Sequence, residues 1–196
     1  ILAAGNSTRM GKDNKLLRNI GSDSLVRNVA VEMLKSDLDS CSIVLGYQSD
    51  KVAAAVKDLN INLILNPFWE EGQASSLKAA LSNMDDTYSD LLVMLGDLPG
   101  VKSDQINRII EEHVLANDSK STITIPTFQG KNGNPVIWGR EFFDSLTALT
   151  GDAGGQTVFA ENKNAVNSLK WPDDSIHFDV DTPYALSQFR KEQKVS

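Results

Sequence analysis

The residues best suited to chemistry stand at the start of the chain, in Leu2-Ala3-Ala4-Gly5-Asn6-Ser7-Thr8-Arg9-Met10-Gly11-Lys12-Asp13-Asn14-Lys15. This segment joins two glycines, a serine and three cations. Glycine lets backbone N–H groups approach an anion closely, and arginine adds a charged fork of donors. Phosphate is the anion such a loop would cradle. The spacing is not that of the common phosphate loop, because five residues separate Gly5 from Gly11 and Asp13 follows Lys12. That loop has a shorter gap, then Lys followed by Ser or Thr, and the glycines of the dinucleotide fingerprint fall closer still. On its own the segment reads equally as a surface loop whose Gly and Lys serve turn geometry and solubility.

Two aspartates could hold a metal ion. Asp97 follows the all-apolar run Leu91-Leu92-Val93-Met94-Leu95, so it should emerge at the end of a strand. Asp181 follows Ile176-His177-Phe178 and precedes Thr182 and Pro183, which suit a helix cap and first turn. If both ends meet over the first loop, they form a pair of oxygen ligands for Mg²⁺, which takes few carboxylates and completes its shell with phosphate oxygens and water. Each also has a structural reading. Asp97, near Gly96 and Pro99, can bond its own turn, and Asp181, like Asp179, can favour a helix N-terminus. His113 and His177 stand apart from any nucleophile or metal spacing and read as structural or solvated. Trp69 and Trp138 lie on apolar runs, where core is the commoner role, with a ligand pocket as the alternative.

The elements that must position these residues alternate. Helical periodicity marks Leu25 to Leu34, Asp50 to Leu59, Ala74 to Met84, Ile106 to Leu115, Glu141 to Leu149 and Gly155 to Asn162. Strand-like runs lie between them at 42–47, 62–65, 91–95, 122–125, 135–138 and 166–171. The run 91–95 is apolar throughout, as expected of a parallel strand covered on both faces. The pattern predicts an α/β fold, a Rossmann-like, mainly parallel sheet with helices on both faces, with ligands over the carboxyl ends of the strands.

The chain of 196 residues with 41% hydrophobic content suits one domain, expected over 1–190 with a frayed tail at 191–196. Net charge is −7 and the 19 basic residues are scattered, which argues against nucleic-acid binding. No apolar run approaches the ~18 residues of a membrane span, and no secretion signal is evident, so the cytoplasm is the expected location. The opening Ile1-Leu2-Ala3-Ala4 reads as a strand whose beginning lies upstream. Cys41 is the single cysteine, which precludes an intramolecular disulfide and reads as a small core residue.

Taken together, Leu2-Ala3-Ala4-Gly5-x-Ser7-x-Arg9-Met10-Gly11 with Lys15 resembles the signature of the MobA-like NTP transferase family, above all its molybdenum cofactor cytidylyltransferase branch. Further motifs resemble that branch in the right order: Asn66-Pro67-x-Trp69 with Gly72-x-x-Ser75-Ser76-Leu77, Gly96-Asp97-Leu98-Pro99, Gly133-Asn134-Pro135-Val136, Gly151-Asp152-x-Gly154 and Asp179-Val180-Asp181-Thr182-Pro183. The resemblance implies a nucleotide-diphospho-sugar transferase type of fold and a Mg²⁺-dependent transfer of CMP from CTP to the phosphate of molybdopterin or its molybdenum form. It implies nucleotide binding by Leu2, Ala3, Ala4, Gly5, Ser7, Arg9, Met10, Gly11, Lys15, Asn66, Gly72, Ser75 and Ser76. It assigns catalysis to Arg9, Lys15 and Asp97, the metal to Asp97 and Asp181, and the acceptor to Asn134, Pro135, Gly151, Asp152 and Gly154. A client molybdenum enzyme is an implied partner beside the small-molecule substrates. Ala4 resembles the cytidylyl branch, where the guanylyl branch usually carries Gly. Gln73-Ala74 and Asn134 depart from the branch, which commonly has Leu-Ser and His there. The alternatives are guanylyl transfer to the same acceptor, nucleotidyl transfer to a sugar or polyol phosphate, and a non-catalytic module that delivers the cofactor.

Overall fold

The computed structural model describes residues 1–6, 14–116 and 118–177. Ser7, Arg9, Met10, Gly11 and Asp181 lie outside the described residues, as do the expected last helix and the tail. The chain alternates β1 (Leu2–Ala3), a short hairpin of β2 (Asn19–Ile20) and β3 (Asp23–Ser24), α1 (Leu25–Leu34), β4 (Ser42–Leu45), α2 (Ser49–Val56), β5 (Asn62–Leu65) and α3 (Gln73–Ser82). It continues with β6 (Asp90–Val93), α4 (Ser103–Val114), β7 (Ile123–Phe128), β8 (Lys131–Asn132), β9 (Val136–Gly139), α5 (Phe143–Ala148), α6 (Gln156–Glu161) and β10 (Val166–Lys170).

β5, β4 and β1 pair in parallel, and β6, β9, β7 and β10 form a second run of strands. A parallel bridge between Leu2 and Leu95 joins the two, with Leu2 N donating to the Met94 carbonyl at 2.8 Å and Gly96 N to the Leu2 carbonyl at 2.9 Å. The strand order is therefore β5-β4-β1-β6-β9-β7-β10. From β1 the chain steps outward through β4 to β5, then crosses back so that β6 lies on β1's other side. The crevice over the carboxyl ends of β1 and β6 is thus a topological switch point, the place where such sheets bind ligands.

The parallel expectation for 91–95 is corrected in part. β6 pairs antiparallel with β9 through Leu91–Trp138 and Val93–Val136, and β9 pairs antiparallel with β7. The apolar pattern reports cover on both faces, not strand direction, and β9 inserts with the opposite sense.

Two apolar layers hold the sheet. On one face Leu25, Val26, Val29, Ala30 and Met33 of α1 pack with Ile43, Leu45, Val52 of α2 and Ile106 of α4. Each such side chain contributes about 1.5–3 kcal/mol on burial. On the other face Ala74 and Leu77 of α3 pack with Val93, Ile125, Val136, Trp138, Leu146 of α5 and Val158 of α6. His113 of α4 is buried between Thr124, at 2.8 Å from Nδ1, and Asp90, at 3.0 Å from Nε2, which agrees with its structural reading. Among the described residues no helix is long and apolar enough to cross a membrane.

Candidate functional site

β1 delivers Ala4 and Gly5 to the switch point. Its end is pinned by a hydrogen bond from Tyr47 N to the Ala4 carbonyl at 2.9 Å. Gly46 makes that approach possible, because a Cβ there would lie 2.7 Å from the Ala4 oxygen and 2.6 Å from Trp69 Cβ. Trp69 in turn packs on Tyr47, with ring centroids 5.5 Å apart.

The chain resumes at Asn14, which caps a 3₁₀ turn over Lys15–Leu17 by accepting from Leu16 N at 3.0 Å. The Asn14 amide also donates to the Tyr47 carbonyl at 3.3 Å, tying this turn to the end of β4. Lys15 is thereby held low in the crevice, 9% exposed. β6 ends nearby and Gly96 leads to Asp97, whose Oδ2 lies 2.5 Å from Lys15 Nζ. Two residues far apart in sequence thus form a charge-assisted pair, with side chains 11% and 17% exposed. A carboxylate oxygen at this place is of the kind a hard cation takes, although among the described residues no group of three or more His, Cys, Asp or Glu gathers around it.

Asn66, Ser75 and Ser76 come together as a buried latch. The Asn66 amide donates to Ser75 Oγ at 2.8 Å and Ser76 Oγ at 3.2 Å, while its carbonyl accepts from Phe68 N at 2.9 Å. Ser75 Oγ donates to the Gly72 carbonyl at 2.8 Å. The latch fixes the loop between β5 and α3. Gly72 has φ +97°, and a Cβ on it would lie 2.4 Å from the Gly151 carbonyl carbon and 2.6 Å from Asp152 Oδ1. Segments 66–76 and 151–154 are therefore pressed into one unit, with Ala74 N donating to the Gly151 carbonyl at 3.0 Å.

A cavity of about 930 Å³ opens beside this unit, on the α3 and α6 side of the sheet, with Leu95 among its lining residues. Asn134 and Gly154 line it, whereas Gly151 and Asp152 pack on Gly72 and Pro135 is buried after a cis peptide bond. The residues implied for the acceptor thus divide between the cavity and its supporting frame. Trp138 is both buried and part of the cavity wall, so its two readings coincide. His177 Nε2 meets the Asn132 carbonyl at 3.0 Å.

Sequence reasoning missed Asn14, Lys131, Phe159 and Lys163. Asn14 carries the signal of a helix cap, an Asn two residues ahead of the apolar pair Leu16-Leu17. Lys131 stands beside the quoted Gly133-Asn134-Pro135 motif, which was its one pointer.

Comparison with known proteins agrees with this geometry. The family model described as MobA-like NTP transferase domain matches residues 1–166. The bifunctional protein GlmU of Prochlorococcus marinus is 29% identical over 87% of the chain, which spans only 38% of that protein. Nicotine blue oxidoreductase of Paenarthrobacter nicotinovorans is 26% identical, over 93% of this chain and 90% of its own. Among solved structures, the homologue of Mycobacterium tuberculosis Rv0371c from Mycobacterium sp. strain JC1 superposes with TM-score 0.85 at 25% identity, over 100% of this chain and 96% of its own. Rv0371c itself, in complex with manganese, superposes with TM-score 0.79 at 23% identity, over 97% of this chain and 95% of its own.

Proposed function

The chain belongs to the MobA-like NTP transferase domain family, matched over residues 1–166, and we propose that it transfers CMP from CTP to the phosphate of molybdopterin or its molybdenum form. One observation carries the proposal: Lys15 and Asp97 meet at 2.5 Å in the crevice where β1 and β6 end. A cation and an oxygen donor at a switch point suit a triphosphate and its metal.

In this reaction an acceptor phosphate oxygen attacks the α-phosphorus of the nucleotide. The bond from that phosphorus to the bridging oxygen breaks, and pyrophosphate leaves with the electron pair. The acceptor oxygen is already anionic at neutral pH, since the second pKa of a phosphate monoester is about 6. No general base is required, and the structural setting of His113 is in keeping with that. Catalysis then rests on position and on fixed positive charge. Lys15 would meet the α-phosphate and steady the leaving pyrophosphate, and Arg9 would fork onto the β- and γ-phosphates. Gly5, Ser7, Met10 and Gly11 would close backbone around the nucleotide, carried there by Leu2, Ala3 and Ala4, whose backbone is tied into the sheet. Asn66, Gly72, Ser75 and Ser76 would shape the base side through the latch rather than by direct exposure. Asp97, with Asp181, would hold Mg²⁺, which when bound supplies neutralisation of phosphate charge. The manganese complex of Rv0371c is in line with a divalent ion. CTP is placed before GTP on the resemblance of Ala4 to the cytidylyl branch alone, since the Ala4 side chain is buried against Val44 and Ile64.

A second reading comes from nicotine blue oxidoreductase, which matches nearly end to end where GlmU matches only in part. It would make the chain an oxidoreductase acting in the same cavity. The partly buried Lys15–Asp97 pair supports transfer, since it offers a cation for phosphate and a carboxylate for a metal.

The test is pyrophosphate release with Mg²⁺ and molybdopterin, offering CTP, GTP, ATP and UTP separately. Release with CTP above the others supports the proposal. Release with none of the four removes the pterin assignment.

A further inference from the structure

The cavity beside the crevice has an unusual charge pattern. Among the described residues lining it, Lys131 and Lys163 are the charged ones, and no Asp or Glu takes part. This holds in a chain with 26 acidic and 19 basic residues. A concave wall of one sign focuses potential on a bound ion of the other.

The two lysines stand at different ends of the cavity. Lys131 lies on β8 opposite Phe128, at the carboxyl end of β7. The register Ile123–Trp138 on one side of β9 and Val93–Val136 on the other sets Ile125 level with Val93. Phe128 and Asp97 both lie beyond those positions, so Lys131 shares the sheet end that carries Asp97. Lys163 comes just before β10, whose first residue Val166 pairs with Ile123 at the opposite end.

An aromatic wall stands toward the Lys163 end, where Trp138 pairs with Ile123. Trp138 and Phe159 stack with centroids 4.8 Å apart and planes 19° from parallel. Gly155 permits the stack to form against α6, because a Cβ there would lie 2.2 Å from the Trp138 ring. A volume of about 930 Å³ suits a compact organic ligand.

We infer that Lys131 is a specificity-determining residue that draws the acceptor's phosphate monoester to the sheet end shared with Asp97, while the Trp138–Phe159 wall takes a flat ring. A monoester carries about −1.5 to −2 charges at pH 7, the form a cavity lined by lysines without carboxylates selects. The inference rests on the transferase proposal in calling this ligand the acceptor and in the nucleotide site that CTP fills in the test.

The test uses a flat ring with and without the phosphate, namely flavin mononucleotide and riboflavin, followed by flavin fluorescence anisotropy with excess CTP occupying the nucleotide site. Flavin mononucleotide should bind about tenfold more tightly than riboflavin, as one charge-assisted contact would give. Lys131→Ala should erase most of that gap, Lys131→Arg should keep it, and Lys163→Ala should reduce it less. The lysines are exposed, so folding is not at issue. Equal binding of the two flavins, no binding of either, full displacement by CTP, or a gap that survives Lys131→Ala would overturn the inference. These readouts involve no chemistry, so they fail or succeed independently of pyrophosphate release.

Discussion

Lys15 Nζ and Asp97 Oδ2 approach to 2.5 Å although they lie 82 positions apart in the chain. The contact joins the turn after the first loop to the end of β6, and each side chain is mostly withdrawn from water. Removing either partner leaves the other charge partly buried without its neighbour. The pair acts as one unit, and that has a kinetic consequence.

Lys15→Ala and Asp97→Asn should each lower kcat/KM for transfer by on the order of 10²-fold or more, as loss of one preorganised charged group does. The double variant should lose far less than the product of the two, because residues acting as a unit are non-additive. Steady-state rates of the four proteins check this, and a fully multiplicative loss would separate the two roles.

Gly72→Ala and Gly21→Ala should differ sharply in stability. Both glycines have positive φ, +97° and +65°, but only Gly72 has backbone within reach of a new Cβ. About 1 kcal/mol is expected at Gly21, against about 2–4 kcal/mol at Gly72 where overlap adds to the dihedral cost. Urea unfolding of both variants measures the difference, and equal losses would contradict the packing of Gly72 on Gly151.

Asn66→Ala should destabilise the fold by about 1–3 kcal/mol, since it removes the donor to the buried Ser75 and Ser76 hydroxyls and the acceptor of the Phe68 N–H, leaving Ser75 only its bond to the Gly72 carbonyl. At this chain length that corresponds to a melting temperature lower by about 2–4 °C per kcal/mol. Ser76→Ala, which removes one long bond, should cost much less. A scan in which the two variants melt together would show that the latch is not cooperative.

Burial pushes the Cys41 thiol above its ordinary value. A raised value leaves less thiolate at pH 8 than free cysteine has, so native protein should react with a disulfide reagent more slowly, gaining rate as pH climbs past 9. Denaturant should restore the ordinary rate. Labelling of the folded protein as fast as free cysteine would place the thiol in water.

Much of this architecture was legible in the residues. The stripe of Leu25, Val26, Val29, Ala30 and Met33 gives α1 its bounds and its buried face, and the run before Asp97 reads as a strand because it is short and apolar throughout. Direction left no such trace. β9 is as apolar as its neighbours and runs antiparallel, since side-chain pattern reports burial and not polarity of the chain. The motif Asn66…Ser75-Ser76 was visible as polar residues near a loop, but their bonding to one another depends on a turn fixed by Gly72. Lys131 and Lys163 lie 32 positions apart in polar stretches, and only the hairpin and α6 bring them to one cavity.

The most direct measurement follows two labels at once, CTP carrying ³²P in the α-phosphate or in the γ-phosphate, with Mg²⁺ and molybdopterin. The account predicts that α-label moves into the pterin product, γ-label leaves only as pyrophosphate, and both fluxes vanish together in Asp97→Asn. Gamma-label appearing as orthophosphate or on the acceptor would make the reaction phosphoryl transfer or hydrolysis and would contradict the assignment.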